Sequence, residues 1–481
     1  MNRTDYGVIV VGGGGAGFAA AIAARESGAS VLVVEAADRP GGSTAMCGGV
    51  FYAAGTSIQR AAGIIDDTPD AMYEYMMTLN QWRLEPGLIH RFSDAATETL
   101  EWLVSIGVVY QPEKLYTAGV ETVRRGHMAE GAGFAVFRAL EQTAGARGVE
   151  VVLNTRVQKL LTDVEGRVVG IEVEGQAVSA GAVILTTGGF GANADLLATL
   201  FPSAARHGDW VHYIGGRHNR GDGLLMGQAA GGAIEGHDCG GLNLTPGFRK
   251  AADAYLPGWL MIVNEQGRRF MDETAPYAVQ DGLVNAQPGH HCFAIMDEAA
   301  RRSARADAEI TDPLGLGDTM AYNWVAETIA EQVALGRVKQ ADTLAELAVR
   351  TGIRADALET TAEIYSGDVA KGFDTHFRKA FRPLLPVSTP PFYAVELRTA
   401  TIGTTGTGLR IDDGAHVLDE AGRRIAGLYA GGECTGGFYG DRYLAGGASL
   451  AQAIVWGRLA GFSAIHDGMC VDTREQMETN P

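Results

Sequence analysis

Residues 6–36 read YGVIVVGGGGAGFAAAIAARESGASVLVVEA, and this stretch decides the fold. An uninterrupted apolar run comes first, an Ala-rich segment from Ala16 to Ser27 follows, and a second apolar run closes the stretch. This order predicts a buried strand, a helix and a second buried strand. A βαβ unit of this kind belongs to a parallel sheet that helices cover, so the predicted fold class is α/β.

The glycines between the first strand and the helix have the spacing GxGxxG, formed by Gly12, Gly14 and Gly17, and Glu35 ends the next strand. This context predicts a Rossmann-like dinucleotide-binding domain. The glycines allow a tight turn and a close approach of the pyrophosphate to the helix N-terminus, and the carboxylate binds the ribose hydroxyls. An acidic residue at this position disfavours a dinucleotide that carries a 2′-phosphate on its ribose.

Composition excludes several classes of protein. The 481 residues carry a formal net charge of -18, which disfavours nucleic acid and anionic membranes as partners. Five widely separated cysteines without a CxxC pair indicate neither a disulfide framework nor a zinc site. We read no targeting segment or membrane span, because the uncharged stretch from Tyr6 to Ala24 contains the glycine motif. These features fit a cytoplasmic protein.

The chain reads as a discontinuous domain with an insertion. Hairpin and strand patterns between residues 150 and 190 return the chain to the first sheet. From about residue 240 the texture changes, first to prolines at 246, 257, 276 and 288 and then to charged helical patterns between 297 and 364. Gly-rich texture resumes after residue 400 and closes with a helix from about 448 to 465 and a polar tail. We expect a dinucleotide-binding domain at 1–240 and 400–481, and an α+β catalytic or capping domain at 241–399.

Three further stretches identify the cofactor through a resemblance: RPGGSTAMCGGV (39–50), LTTGGFG (185–191) and GLYAGGECTGG (427–437). They resemble the motifs of the fumarate reductase and ketosteroid dehydrogenase flavoprotein superfamily. The resemblance implies FAD, held noncovalently because no histidine lies between Gly41 and Tyr52. The cofactor-binding residues that it implies are Gly12, Gly14, Gly15, Ala16, Gly17, Glu35, Ala36, Gly42, Ser43, Thr44, Gly48, Gly49, Val157, Gly188, Gly189, Glu433, Ser449 and Leu450.

Two more stretches, GRRFMDETAPY (267–277) and GDRYLAGGA (440–448), distinguish the branches of this superfamily. Where dicarboxylate reductases carry arginines, this sequence has Tyr277 and Tyr443, which resembles the ketosteroid dehydrogenases. The resemblance implies that Tyr277 removes the proton beside a ketone, while the Tyr443 hydroxyl and the Gly447 N–H hold the ketone oxygen. Tyr116, with Tyr110 behind it, is the candidate for a third phenol that donates to Tyr277.

The expected activity is FAD-dependent α,β-desaturation of a cyclic ketone, with hydride passing to flavin N5 and electrons to a quinone-like acceptor or oxygen. A 3-ketosteroid and a smaller ring such as 4-oxocyclohexanecarboxylate both remain open as substrate, with Arg442 and Gly446 as substrate-binding residues. One alternative is a fumarate-type or enoate reductase that uses Arg442. Another is a non-catalytic flavin electron-transfer subunit.

Other polar residues give weaker signals. His290 and His291 lack metal-ligand spacing, so we expect no metal site. Arg124, Arg125 and His127 either line the entrance to the site or belong to a solvated loop. The sequence leaves the oligomeric state open.

Overall fold

The computed structural model describes residues 4–248, 256–304, 322–379 and 384–478. They form two compact units: the first comprises 1–202, 215–241 and 404–481, and the second 203–214 and 242–403. Part of the predicted charged helical stretch, residues 305–321, lies outside the described residues.

The helices, numbered in chain order, are α1 (Gly15–Glu26), α2 (Gly42–Met46), α3 (Ser57–Ala61), α4 (Pro69–Leu79), α5 (Pro86–Ser105), α6 (Ala132–Ala146), α7 (Ala194–Leu200), α8 (Pro202–Ala205), α9 (Asp222–Ala229), α10 (Tyr277–Asn285), α11 (Glu298–Ser303), α12 (Ala326–Ala334), α13 (Leu344–Thr351), α14 (Ala355–Lys371) and α15 (Ala448–Glu478).

The strands, numbered likewise, are β1 (Tyr6–Val11), β2 (Val31–Val34), β3 (Val50–Tyr52), β4 (Gly126–Met128), β5 (Glu150–Val152), β6 (Lys159–Thr162), β7 (Val168–Val173), β8 (Gln176–Leu185), β9 (His212–Tyr213), β10 (Ile234–Glu235), β11 (Gly240–Thr245), β12 (Met261–Val263), β13 (His291–Asp297), β14 (Lys339–Ala341), β15 (Phe392–Thr405), β16 (Gly408–Leu409), β17 (His416–Leu418) and β18 (Arg424–Ala430).

The first unit is built on a largely parallel sheet in the order β17-β18-β8-β1-β2-β5. Strand β1 pairs in parallel with β2 and β8, and β8 pairs in parallel with β18. The antiparallel strands β6 and β7 extend the sheet from β8. Residues Val8, Ile9 and Val10 are fully buried, as an apolar strand between helical layers must be. The predicted α/β fold and βαβ unit are confirmed.

Small residues allow the first and last helices to approach closely. A Cβ atom on Gly457 would lie 2.2 Å from the Ala16 carbonyl oxygen, and one on Gly461 would lie 2.3 Å from that of Ala20. Glycines four residues apart on α15 thus face alanines four residues apart on α1. The helix predicted to end near residue 465 continues to Glu478, so the predicted end of this helix was wrong.

The second unit contains a six-stranded sheet in the order β11-β15-β13-β12, with β9 and β14 also paired to β15. Two apolar clusters pack in this unit, one that includes Trp259, Trp324 and Leu397 and another that includes Ile295 and Tyr365. Together with α10 to α14, this gives the unit a mixed α and β content.

Candidate active site

The first glycine turn has the stereochemistry that a dinucleotide requires. Gly12 has φ +108°, and a Cβ atom there would lie 2.5 Å from the Thr186 carbonyl oxygen. A Cβ atom on Gly17 would lie 1.9 Å from the Gly12 oxygen, so the third glycine allows the helix to pack on the turn. Among the described residues, apart from the chain next to Gly14, no atom lies within 4 Å of the corresponding position on Gly14. Space therefore remains beside Gly14, at the N-terminus of α1, where the motif places pyrophosphate.

Glu35 is buried directly after β2, with its carboxylate held by two backbone donors. The N–H of Gly13 donates to Oε2 and that of Ala37 to Oε1, each at 2.7 Å. A carboxylate has about four acceptor positions, so capacity remains for the hydroxyls of a ribose. Val157, predicted beside the adenine, is buried as well.

The second glycine turn is fixed to the first. Thr44 Oγ1 accepts a hydrogen bond from the Gly15 N–H at 3.2 Å. Ser43 Oγ accepts from the Gly216 N–H at 2.9 Å and from Asn219 Nδ2 at 3.1 Å. The predicted residues 42–44 thus line the same turn as residues 12–17. Sequence reasoning missed Asn219, because no local pattern links it to a serine 176 positions earlier.

Glu433 occupies a polar recess beside the third glycine motif. Its Oε1 accepts from the Thr405 N–H at 2.8 Å and from the Thr405 hydroxyl at 3.0 Å. A Cβ atom on Gly189 would lie 2.5 Å from the same oxygen, so only glycine fits there. Burial raises the pKa of Glu433, and the hydrogen bonds from Thr405 oppose that shift. Gly188, with φ +74°, packs in turn against Asn219.

Tyr443 lies on the turn that leads into α15 and is 6% exposed. Its hydroxyl donates to Ser449 Oγ at 3.2 Å and accepts from the Ser449 N–H at 3.4 Å. Burial raises the pKa of this phenol, although the bonds with Ser449 oppose the shift, so it remains a proton donor at neutral pH. The neighbouring Gly447 has φ +89°, and a Cβ atom there would lie 2.6 Å from Val50 Cγ1.

A second phenol, Tyr439, stacks on Tyr443, with ring centroids 5.4 Å apart and planes at 21°. Its hydroxyl is buried and has no hydrogen-bond partner among the described residues. Sequence reasoning did not single out Tyr439. It lies four residues before Tyr443 in a glycine-rich loop, and such a loop has no periodicity that would predict which side chains meet.

The segment of Tyr116 lies beside this turn. Tyr116 pairs through its backbone with Gly126, and the carbonyl of Ala118 accepts from the Gly446 N–H at 2.8 Å. Tyr116 is half-buried, whereas Tyr110, the reserve candidate, is buried without a hydrogen-bond partner for its hydroxyl among the described residues.

Of the two interpretations left open for Arg124, Arg125 and His127, the solvated loop is wrong for Arg125 and His127, which are buried. The Arg125 side chain is 3% exposed and forms an ion pair with Asp67 at 2.7 Å and a longer one with Glu121. His127 is also buried: its Nδ1 donates to the Arg125 carbonyl at 2.8 Å, and its Nε2 shares a hydrogen bond with the Thr56 hydroxyl at 2.8 Å. Pairing with a carboxylate offsets the cost of burying the guanidinium, which a reading of charge alone could not predict.

Tyr277 belongs to the second unit, where it is the first residue of α10, directly after Pro276. The segment before it is fixed by a buried cluster of charges. Arg269 forms ion pairs with Glu273 at 2.8 Å and with Asp374 at 2.9 Å, and Lys379 pairs with Glu273 at 3.1 Å. The cations of this cluster are therefore already neutralised by carboxylates of the same unit.

Arg442 is half-buried, and its guanidinium donates to the backbone carbonyl of Asp441 at 2.7 Å. Its own N–H donates to Asn80 Oδ1 at 2.9 Å. Asp441 forms its ion pair with Arg83. Arg442 thus differs from Arg125 and Arg269, whose charges are paired with buried carboxylates.

The described residues contain neither a metal-site cluster nor a membrane-spanning helix. Across them, no group of three or more His, Cys, Asp or Glu side chains has the arrangement of a metal site. No helix within the same ranges combines the length and apolarity needed to cross a bilayer.

The parallel sheet, the paired glycine turns and the buried acid after β2 define a dinucleotide-binding protein. The chain belongs to the family described as FAD binding domain, whose model matches residues 7–450. Its cofactor is therefore FAD, which the cradle around Gly14, Glu35, Ser43 and Glu433 fits, and the protein is an FAD-dependent oxidoreductase.

Relatives place the chain within the fumarate reductase and ketosteroid dehydrogenase superfamily. A fumarate reductase (cytochrome) of Shewanella frigidimarina is 33% identical over 472 residues, covering 95% of this chain and 76% of that protein. The 3-oxosteroid 1-dehydrogenase of Mycolicibacterium smegmatis is 26% identical over 573 residues, covering 96% and 97%.

A solved structure agrees with this placement. The 3-ketosteroid-Δ4-(5α)-dehydrogenase of Rhodococcus jostii RHA1 superposes with a TM-score of 0.76 at 28% identity, over 97% of this chain and 98% of that one. By sequence identity the fumarate reductase relative, at 33%, is nearer than the 3-oxosteroid dehydrogenase relative, at 26%, so identity does not support the expected closer likeness to the ketosteroid dehydrogenases.

Proposed function

We propose that the protein desaturates a cyclic ketone to its α,β-enone. The observation that carries the proposal is Tyr443, a neutral phenol held at the N-terminus of α15 in the FAD-binding unit. The sequence resemblance aligns this position and Tyr277 with arginines of dicarboxylate reductases. A phenol suits a ketone oxygen, whereas a dicarboxylate needs cations.

Tyr443 and Gly447 are the proposed donors to the ketone oxygen. As the α-proton leaves, negative charge develops on that oxygen. The stacked ring already positions the phenol, and its O–H would turn from Ser449 Oγ to the substrate oxygen, where it stabilises this charge. The dipole of α15 adds to the effect, because its N-terminus favours negative charge nearby. The high pKa of Tyr443 keeps its proton in place for this role.

Tyr277 is the proposed base that accepts the proton from the carbon next to the ketone. A free phenol has a pKa near 10, so its ionisation at pH 7 costs about 4 kcal/mol. A second phenol that donates to the phenolate would lower this cost, and Tyr116 is the proposed donor. Bound FAD supplies the two-electron oxidation, and the electrons leave to a quinone-like acceptor or to oxygen.

The substrate is proposed to be a 3-ketosteroid or a smaller cyclohexanone. Similarity to the Rhodococcus dehydrogenase, solved with 4-androstene-3,17-dione, supports the steroid. Arg442 supports a ring with a carboxylate, such as 4-oxocyclohexanecarboxylate, because no ion pair among the described contacts engages its guanidinium. Arg442 would then bind the carboxylate of the substrate from the same turn that carries Tyr443 and Gly446.

A second candidate function is reduction of fumarate or another enoate. The 33% identity to the Shewanella fumarate reductase favours it, and Arg442 would then be the cation that binds a carboxylate. The charges at Arg269 and Lys379 count against it, since both are paired with acids of their own unit.

Steady-state turnover with an artificial electron acceptor tests the proposal. The saturated ketones 5α-androstane-3,17-dione, cyclohexanone and 4-oxocyclohexanecarboxylate are compared as oxidisable substrates, and enone formation is measured by its ultraviolet absorbance. In parallel, chemically reduced enzyme is mixed with fumarate and with acrylate. Enone formation from at least one ketone is expected. Reduction of fumarate without turnover of any ketone would contradict the proposal and support the second candidate.

A further inference from the structure

A phenol outside the predicted site connects two backbone segments of the first unit. Tyr75 lies on α4, and its hydroxyl donates to the Leu444 carbonyl at 3.1 Å. The same oxygen accepts from the Val120 N–H at 3.1 Å. Burial raises the pKa of Tyr75, so the hydroxyl keeps its proton and both bonds persist across the neutral range.

The two bridged segments also contact each other directly. The Gly446 N–H donates to the Ala118 carbonyl at 2.8 Å. Residues 118–120 and 444–446 are thus joined by one direct hydrogen bond and by the two hydrogen bonds of the Tyr75 hydroxyl. We call this arrangement the Tyr75 brace. The second segment follows Tyr443 and precedes Gly447, the two proposed donors to the ketone oxygen.

Gly119 shows how closely the brace is packed. A Cβ atom on Gly119 would lie 2.1 Å from the Tyr75 hydroxyl oxygen and 3.2 Å from the Leu444 carbonyl oxygen. Any side chain at position 119 must therefore displace the phenol or the backbone of the turn. Position 119 gives an independent way to disturb the same contacts.

We propose that Tyr75 is a positioning residue that holds the 443–447 turn, so that the Tyr443 hydroxyl and the Gly447 N–H point to one oxygen. The inference rests on the proposed function of that turn. The turn contains two consecutive glycines, one of them at positive φ, so its own backbone has unusual freedom. The Tyr75 brace thus adds an external restraint to the contacts with Ser449 and Val50, and errors of about 1 Å cost up to roughly 100-fold in rate.

The test compares Tyr75→Phe with Tyr73→Phe. Tyr73 lies on the same helix, and its ring packs edge-on against Trp82 and His90, contacts that phenylalanine keeps. We expect Tyr75→Phe to lower kcat roughly 10- to 100-fold with little change in KM or FAD content. Tyr73→Phe should retain kcat within about threefold. Gly119→Ala should reproduce the kcat loss, because its methyl group displaces the phenol.

A purely structural Tyr75 would give another result. Tyr75→Phe would then lower the thermal midpoint yet keep wild-type kcat at temperatures well below that midpoint, and this outcome overturns the proposal. An equal loss in Tyr73→Phe would overturn it too. The ratios are measured with whichever substrate the wild type converts. If that is fumarate alone, the proposed ketone chemistry fails, and the kcat ratio still decides whether the brace positions the turn.

Discussion

Replacing Tyr443 by phenylalanine isolates the contribution of one hydroxyl. The ring should keep its stacking on Tyr439 at 5.4 Å, while both hydrogen bonds to Ser449 are lost. Apart from the hydroxyl and its bonds, the shape of the turn is retained. The variant therefore separates donation to a substrate oxygen from packing.

Two magnitudes follow from this geometry. The lost hydrogen bonds, at 3.2 and 3.4 Å, are long, so the free energy of unfolding should fall by only about 1 kcal/mol. Loss of a preorganised donor to a developing oxyanion costs about 3 to 4 kcal/mol, so kcat should fall roughly 100- to 1,000-fold. Since burial raises the pKa of Tyr443, this deficit should stay constant from pH 6 to about pH 9.

The assay is steady-state desaturation at saturating ketone, with FAD content measured on each preparation. Tyr6→Phe is the matched control, because it also removes a phenol bonded to a partner, Glu150 at 2.8 Å, but on β1. That control should keep kcat within about threefold. If Tyr443→Phe kept kcat within threefold as well, the assignment of Tyr443 as donor would be refuted.

Three further predictions concern the proposed cofactor-binding residues and the buried carboxyl of Glu121. Glu35→Gln replaces a charged acceptor, so FAD should dissociate about 10- to 100-fold more readily in fluorescence titrations, and unchanged affinity would contradict the ribose role. Gly17→Ala should prevent folding, because its Cβ atom would lie 1.9 Å from the Gly12 oxygen. Gly14→Ala should instead fold, with an unchanged circular dichroism spectrum, but bind FAD weakly. Burial raises the pKa of Glu121 from 4.5 to about 7, so between these pH values unfolding releases the proton of this carboxyl. As pH rises through this window, the free energy of unfolding of the wild type should therefore fall relative to that of Glu121→Gln, by up to about 3 kcal/mol. Parallel thermal midpoints at all pH values would contradict this.

The features that the sequence predicted are those encoded by neighbouring residues. The βαβ unit, the glycine spacing and Glu35 all lie within 31 consecutive residues, and in the structure the Gly13 N–H of the glycine turn donates to Glu35. Apolar periodicity and turn glycines act locally, so one sequence is enough to recognise them.

The features that the sequence did not reveal depend on distant partners. Arg125 bonds Asp67, 58 positions away, and is buried rather than solvated. The Thr405 donors reach Glu433 across 28 positions, and Tyr75 reaches Leu444 across 369. Tertiary pairing of this kind has no local periodicity, so no sequence window contains the signal.

The end of the last helix shows a different limit. The prediction stopped α15 near residue 465, where its apolar run ends, but the helix continues through polar residues to Glu478. Apolar periodicity predicts which part of a helix packs, and polar residues with good helix propensity can extend it further.

Anaerobic titration of the oxidised holoenzyme tests the central claim most directly. If the turn that carries Tyr443 binds a ketone for desaturation, stoichiometric 4-oxocyclohexanecarboxylate or 5α-androstane-3,17-dione should bleach the visible flavin absorbance, and the Tyr277→Phe variant should bleach far more slowly with FAD still bound. Flavin that stays oxidised with every ketone, yet is reoxidised by fumarate after chemical reduction, would contradict the account.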